Sequence, residues 1–187
     1  ARQYQPPGAL QVAGQDELFR HLDGMVVGNN PREGFVQDNV FYHPELAFQF
    51  PVPRGWELKN ERAAVIMASP QQSAIMSFAL YPAKSAREAA AEFVQRQQIQ
   101  VLDRQTTIVN GFPAFVVLGQ ADTRQGSVGL LSYFIESGDR VYHFQGMAAT
   151  PQFSAVQDTF HTTMAGCSRL TDPGLLNVEP ARLAIVA

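Results

Sequence analysis

The stretch that decides the fold is residues 39–60, which read Asn-Val-Phe-Tyr-His-Pro-Glu-Leu-Ala-Phe-Gln-Phe-Pro-Val-Pro-Arg-Gly-Trp-Glu-Leu-Lys-Asn. Leu46, Phe48 and Phe50 alternate with Ala and Gln, which is the period of a strand with one buried face. The prolines that follow cannot donate to a sheet ladder, so the strand is predicted to end there. After an Arg-Gly turn, Trp56 begins the next extended segment, and the rest of the domain is expected to cover this hairpin.

Two residues of this stretch are predicted to be structural anchors. His43 precedes a proline at the mouth of the first strand, where we expect its imidazole to stabilise the turn by a hydrogen bond. Trp56 carries the largest apolar side chain of the segment, so we expect it to be largely buried under the second helix or its neighbours.

The patterns downstream predict further strands and two main helices. Ser85 is a good N-cap, and Glu88 completes a capping box for a helix that runs to about residue 99. Asn110-Gly111 is a strong hairpin signal between extended segments predicted at 106–109 and 112–120. Residues 126–136 are apolar on both faces, which is typical of a strand in the middle of a covered sheet. The second helix begins near residue 150. The fold class is therefore predicted to be α+β, an antiparallel β-sheet flanked by two main helices.

Composition limits the range of functions. The chain has 187 residues, of which 45% are apolar, and this is enough for one good core. A net charge of −3 provides no field that would attract nucleic acid. No apolar run approaches the roughly 20 residues that a transmembrane helix needs. The single cysteine, Cys167, excludes an intrachain disulfide and a CxxC motif.

A search for catalytic and metal-binding motifs finds none. The four histidines are at least 18 positions apart, and HExxH and Cys/His clusters are absent. His143 falls within a strand, where a hydrogen-bonded core histidine is the favoured interpretation. Glu88 and Glu92 lie four apart on a helix, and we interpret them as a solvated face. We therefore predict no catalytic residue and no metal ligand in this chain.

The segment before the first strand carries apolar residues that it is too short to bury by itself. We interpret residues 16–38 as a strap that docks on another domain. The predicted docking residues are Leu18, Phe19, Leu22, Met25, Val26 and Val27.

Several of these stretches resemble the C-terminal region of bacterial envelope zinc metallopeptidases of peptidase family forty-eight, the HExxH group. The most specific match is Asp-Gly-Met-Val-Val-Gly-Asn-Asn-Pro-Arg-Glu-Gly-Phe-Val at 23–36, followed by Phe-Tyr-His-Pro-Glu-Leu at 41–46 and Gly-Trp at 55–56. Looser matches are Asn-Gly-Phe-Pro-Ala at 110–114 and Val-Tyr-His-Phe at 141–144. The Phe-x-Phe-Pro opening is also similar to that of PsbP-like domains, whose fold is an antiparallel sheet between helices.

The resemblance implies three parts. Residues 1–38 would be a lead-in and the tail of a protease domain, 39–170 a PsbP-like domain, and 171–187 a linker towards a LysM-like module. The zinc ligands and catalytic glutamate would lie in the protease domain, so zinc is expected there and no cofactor in this chain. The implied location is the periplasm or outer cell envelope, and the implied partners are the attached protease domain and envelope protein substrates.

Three functional hypotheses stay open on the sequence. The first is a non-catalytic accessory domain that positions substrates or partners for an attached zinc endopeptidase. The second is a stand-alone PsbP-like module that binds a ligand or a protein. The third is an enzyme in its own right, which the empty motif search disfavours. An HExxH motif upstream of Ala1 would favour the first, and a signal peptide directly before Ala1 would favour the second.

Overall fold

The computed structural model of the protein describes residues 34–61 and 64–178. Within these ranges the strands and helices follow one another as β1 (Phe35–Gln37), β2 (Val40–His43), β3 (Phe48–Pro51), β4 (Glu57–Asn60), β5 (Val65–Ala68), β6 (Ala74–Tyr81), α1 (Ala86–Gln97), β7 (Gln100–Val109), β8 (Phe112–Thr123), β9 (Gly126–Ser137), β10 (Arg140–Ala149), α2 (Thr150–Ala165), β11 (Ser168–Arg169) and α3 (Pro173–Leu176).

The strands form two antiparallel sheets. The large sheet has seven strands in the order β4-β5-β6-β10-β9-β8-β7, and the small sheet has four in the order β1-β2-β3-β11. Hairpins connect β7 to β8, β8 to β9 and β9 to β10. The helix between β6 and β7 carries the chain from β6 to the outer edge of the sheet, so β7 has one neighbour only.

The two long helices cover opposite faces of the large sheet. Leu130 and Leu131 of β9 belong to different clusters of buried residues, because successive side chains of a strand point to opposite faces. Phe93 of α1 packs in the cluster of Leu130, and Phe160 of α2 packs in that of Leu131. The predicted antiparallel sheet with a helix on each face is therefore observed.

The small sheet was not predicted, and the opening hairpin is divided between the sheets. Residues 48–51 pair with β2 and β11, whereas residues 57–60 pair with β5 of the large sheet. The prediction of one hairpin was wrong because Val52 and Pro53 carry the chain from one sheet to the other. Phe50 of the small sheet packs edge-on against Phe144 of the large one, with ring centroids 4.9 Å apart. The two sheets therefore share one core.

Close packing of α2 depends on two glycines in adjacent strands. A Cβ atom at Gly129 would lie 2.4 Å from the ring of Phe153, and one at Gly146 would lie 2.6 Å from the ring of Phe160. Both distances are shorter than any normal contact between a Cβ atom and a ring carbon. Only glycine therefore lets these two rings lie directly on the sheet.

Some of the predicted features lie outside the described residues. These are the docking residues Leu18, Phe19, Leu22, Met25, Val26 and Val27 and most of the second half of the linker predicted at 171–187. The proposed boundaries of the three parts stay predictions. In the described ranges, no helix has the length and apolar character that a membrane crossing requires.

Candidate functional site

A groove with a defined lining lies between α1 and the outer strand of the large sheet. It encloses about 310 Å³. Its floor is apolar and its rim is polar, and the lining residues are Arg87, Ala90, Ala91 and Val94 of α1, Val101, Arg104, Gln105 and Thr106 of β7, and Phe115 and Val117 of β8. An apolar floor with a few polar groups is the usual composition of a binding site.

The groove exists because α1 lies over the inner strands and leaves β7 uncovered. The helix packs on β8 and β9, and its buried side is formed by Ala86, Ala89, Ala90 and Phe93. Small alanine side chains bring the helix axis close to the sheet. Gln98 ends the helix in the left-handed conformation, with φ of 52°, and turns the chain directly into β7. The helix therefore cannot extend over that strand.

The outer strand exposes large apolar side chains. Leu102 is 58% exposed and Ile108 is 73% exposed. In the described ranges only two other large apolar side chains, Val36 and Leu80, are comparably open. Leu102 is an extra residue in its strand, since Val101 pairs with Gly119 and Asp103 with Leu118. Such a bulge twists an edge strand and is one of the ways in which proteins limit uncontrolled pairing.

The groove carries positive charge. Arg87 and Arg104 are the charged residues of its lining, and no carboxylate is among the lining residues. The guanidinium of Arg87 lies over the ring of Phe115, 5.5 Å from its centroid. In the described part of the chain neither arginine forms an ion pair, and the observed pair joins Arg96 to Glu92 elsewhere on α1. Both guanidinium groups are therefore able to bind an anionic partner.

The local sequence holds the groove in place from both ends. The backbone N–H of Glu88 donates to Ser85 Oγ at 3.1 Å, and Glu88 in turn accepts a hydrogen bond from the N–H of Lys84 at 3.0 Å. The capping role predicted for Ser85 is thus confirmed. At the other end, Asn110 Nδ2 donates to the carbonyl oxygens of Ala165 and Cys167, at 3.1 and 2.8 Å. These bonds tie the β7–β8 hairpin to the end of α2.

A buried polar residue lies under α1. His143 is 2% exposed and stacks on Phe134 with ring centroids 4.3 Å apart, while Phe93 of α1 approaches it from above. Its Nε2 shares a hydrogen bond of 3.1 Å with Ser132 Oγ. Burial lowers the pKa of His143 to about 3, so the imidazole is neutral. The interpretation of His143 as a hydrogen-bonded core residue is confirmed.

The predicted anchors lie away from the groove. His43 accepts a hydrogen bond of 3.1 Å at Nδ1 from the backbone N–H of Leu46, and its ring stacks on Phe48. Trp56 is half-buried, and its ring meets Phe160 of α2 edge-on with centroids 6.3 Å apart. Neither side chain faces the groove lining.

The described residues assemble no cluster of metal-binding side chains. In ranges 34–61 and 64–178, no group of three or more His, Cys, Asp or Glu side chains could hold a metal ion. Cys167 is 1% exposed, and burial raises the pKa of its thiol to about 12, so the reactive thiolate does not form at neutral pH.

Comparison with known proteins identifies the fold and no family. No protein-family model matches the chain, and no curated protein matches it. The solution structure of cyanobacterial PsbP from Synechocystis superposes with a TM-score of 0.57 and 11% identity, covering 79% of this chain and 99% of that protein. A crystal structure from Bacteroides thetaiotaomicron superposes with a TM-score of 0.52 and 8% identity, covering 74% of this chain and 50% of that one. The chain therefore has a PsbP-like fold, as the sequence predicted.

Sequence reasoning missed the groove because it missed the strand that forms its rim. The strand before Asn110 was predicted to begin at residue 106, whereas β7 begins at Gln100. The first half of β7, which contains Asp103 and Arg104, lacks the apolar alternation of a strand that is buried on one face. That lack of alternation is itself what an edge strand exposed on both faces would show.

Proposed function

We propose that this chain is a non-catalytic binding module, and that it binds a polypeptide partner in the groove between α1 and β7. The single observation that carries the proposal is the coincidence of an apolar, arginine-rimmed groove with two exposed apolar side chains on the adjoining strand. A PsbP-like fold supports a binding module in general and does not identify the partner.

Peptide selection tests this proposal without assuming the chemistry of the partner. The immobilised protein is used to select binders from a random library of twelve-residue peptides. Hydrogen exchange with and without a selected peptide then maps the contact. We expect protection to concentrate in residues 87–94 and 100–109, because these segments line the groove.

Two matched variants provide the control. Ile108→Ser removes the most exposed apolar side chain beside the groove, and Leu80→Ser removes one that is 48% exposed on β6. We expect the first variant to weaken binding of the selected peptides and the second to leave it unchanged. Peptides that protect other segments, or that bind the Ile108→Ser variant as well as the unmodified protein, would refute the proposal.

A finer proposal concerns the protein to which this module belongs. Its support is the sequence block at 23–36 with the match at 41–46, which resembles envelope zinc metallopeptidases of family forty-eight. On that basis the module would position envelope substrates or partners for an attached zinc endopeptidase, with the zinc in the protease domain. The gene sequence upstream of Ala1 tests this proposal. An HExxH motif on a predicted helix supports it, and a signal peptide directly before Ala1 favours the stand-alone module.

A further inference from the structure

We infer that the partner in the groove is an extended, acidic polypeptide segment, which adds to β7 as an eighth strand of the large sheet. The inference rests on the proposed function and specifies the chemistry and conformation of the partner. Its basis is the hydrogen-bonding register of β7 together with the charges beside it.

The register of the β7–β8 hairpin determines which backbone groups of β7 point outward. Val109 and Phe112 close a two-residue turn in which Asn110 and Gly111 have φ of 48° and 89°, as a type I′ turn requires. The closing pair is hydrogen-bonded, and bonded and non-bonded pairs then alternate along an antiparallel ladder. The N–H and C=O groups of Ile108, Thr106 and Arg104 therefore point away from β8.

One of these outward groups is already occupied. The backbone N–H of Arg104 donates to the carboxylate of Asp103 at 2.9 Å, which agrees with its outward direction. In the described part of the chain, the N–H groups of Thr106 and Ile108 donate to no backbone carbonyl of a turn or loop. These two residues therefore offer two donors and two acceptors to an incoming strand, and main-chain pairing of this kind is a recurrent mode of peptide recognition.

The side chains of the same residues select the partner. Arg104 pairs with Val117 and Thr106 with Phe115, and both partners contribute to the face that α1 covers. Residues opposite each other in adjacent strands project to the same face. The side chain of an added strand that lies opposite Arg104 would thus reach Arg104 and Arg87 on that face. A carboxylate would form charge-assisted hydrogen bonds there.

Charge also decides against a second copy of the chain as the occupant. Antiparallel pairing of β7 with β7 from another copy would bring two Arg104 residues, and the two Arg87 residues beside them, to the same junction between the two sheets. Like charges at opposing positions of adjacent strands are destabilising. On the other face of β7, Asp103 is exposed and Thr107 is half-buried, so polar residues suit the alternate positions of the partner.

The test uses three blocked ten-residue peptides with the same length and pattern. The first alternates Thr with Glu and Val, the second has Lys in place of each Glu, and the third keeps the glutamates but has Pro in place of each Thr. Titrations are followed by the amide NMR signals of the protein and by hydrogen exchange at Thr106 and Ile108. Variants with Arg87→Gln plus Arg104→Gln, and with Thr106→Pro, are compared with Arg124→Gln, which changes an exposed arginine outside the groove.

We expect the glutamate peptide alone to bind and to slow exchange at Thr106 and Ile108. The double arginine variant should weaken its binding about tenfold, the size expected from losing two exposed ion pairs. Thr106→Pro should abolish binding without unfolding the protein, because proline is tolerated in an edge strand whose N–H faces solvent. Arg124→Gln should bind as the unmodified protein does.

Other outcomes overturn the inference. Equal binding of the lysine peptide refutes an acidic partner, and equal binding of the proline peptide refutes strand addition. Slowed exchange at Thr106 and Ile108 that depends on protein concentration alone would identify a second copy as the occupant. If library-selected peptides protect the groove while none of the three designed peptides binds, the partner class is wrong and the proposed function stands.

Discussion

Replacing His143 should make the protein less sensitive to acid, because this residue must be neutral in the folded state. Its imidazole is enclosed by the rings of Phe134, Phe93 and Tyr81, and burial lowers its pKa from 6.5 to about 3. In the unfolded chain the same imidazole has its ordinary pKa and takes up a proton below pH 6.5. The stability contributed by neutral His143 is thus fully present above pH 6.5 and is lost as the pH falls towards 3.

The magnitude follows from the difference between the two pKa values. Each pH unit below 6.5 costs about 1.4 kcal/mol of unfolding free energy until the folded pKa is approached, so the loss at pH 5 is about 2 kcal/mol. Urea unfolding at pH 7.5 and pH 5 measures it in the unmodified protein and in His143→Gln. Carboxylates titrate in both proteins, so their contribution cancels in the comparison.

We expect the unmodified protein to lose about 2 kcal/mol more than His143→Gln between the two pH values. His161→Gln is the matched control, since His161 is half-buried and its Nδ1 lies 2.8 Å from the hydroxyl of Tyr133. That variant keeps His143, so it should still show the extra loss of stability that burial of His143 causes. An equal loss in the unmodified protein and in His143→Gln would show that His143 is hydrated or charged in the folded state, and would refute the reasoning.

Three further substitutions test the packing, each by urea unfolding. Gly146→Ala should lower the free energy of unfolding by about 1–3 kcal/mol, because the added methyl group overlaps the ring of Phe160. Phe160→Leu in the same chain should recover part of that loss. Unchanged stability would mean that α2 does not lie on Gly146. Asn110→Ala loses two hydrogen bonds and puts alanine at a positive φ, so it should lower the free energy of unfolding by about 1–3 kcal/mol. Asn110→Gly keeps the turn and should lose less. Equal losses in the two variants would contradict this account. Trp56→Ala should lower the free energy of unfolding by about 3 kcal/mol. Trp56→Phe should lose clearly less, because the edge-on contact with Phe160 can persist. A negligible effect of Trp56→Ala would show that Trp56 behaves as a surface residue.

The elements that the sequence predicted are those whose signals are local. The cap at Ser85, the turn at Asn110-Gly111 and the doubly apolar strand around Leu130 and Leu131 each depend on a few consecutive residues. Their alternation and spacing were enough to predict an antiparallel sheet with helices. The similarity of the opening segment to PsbP-like domains led to the same fold.

The features that escaped prediction depend on residues distant in the sequence. Whether Phe48 pairs with a strand of the large sheet or with Arg169 of β11 is decided by the core as a whole, and nothing near Phe48 specifies it. The groove likewise requires Arg87 of α1 and Arg104 of β7 to lie on one face, although β7 itself was recognised only from residue 106. Interaction sites on edge strands are difficult to predict for this reason, since exposure on both faces removes the hydrophobic pattern.

The single cysteine gives the protein an internal probe of its own opening. Cys167 follows α2 and packs in the core that the two sheets share, where its thiol is inaccessible and protonated. A thiol reagent can therefore modify it only while α2 and the small sheet are transiently separated from the large one. The chain has one cysteine, so every labelled molecule records an opening at this position. The labelling rate would then measure how often the core opens under native conditions, without any engineered reporter.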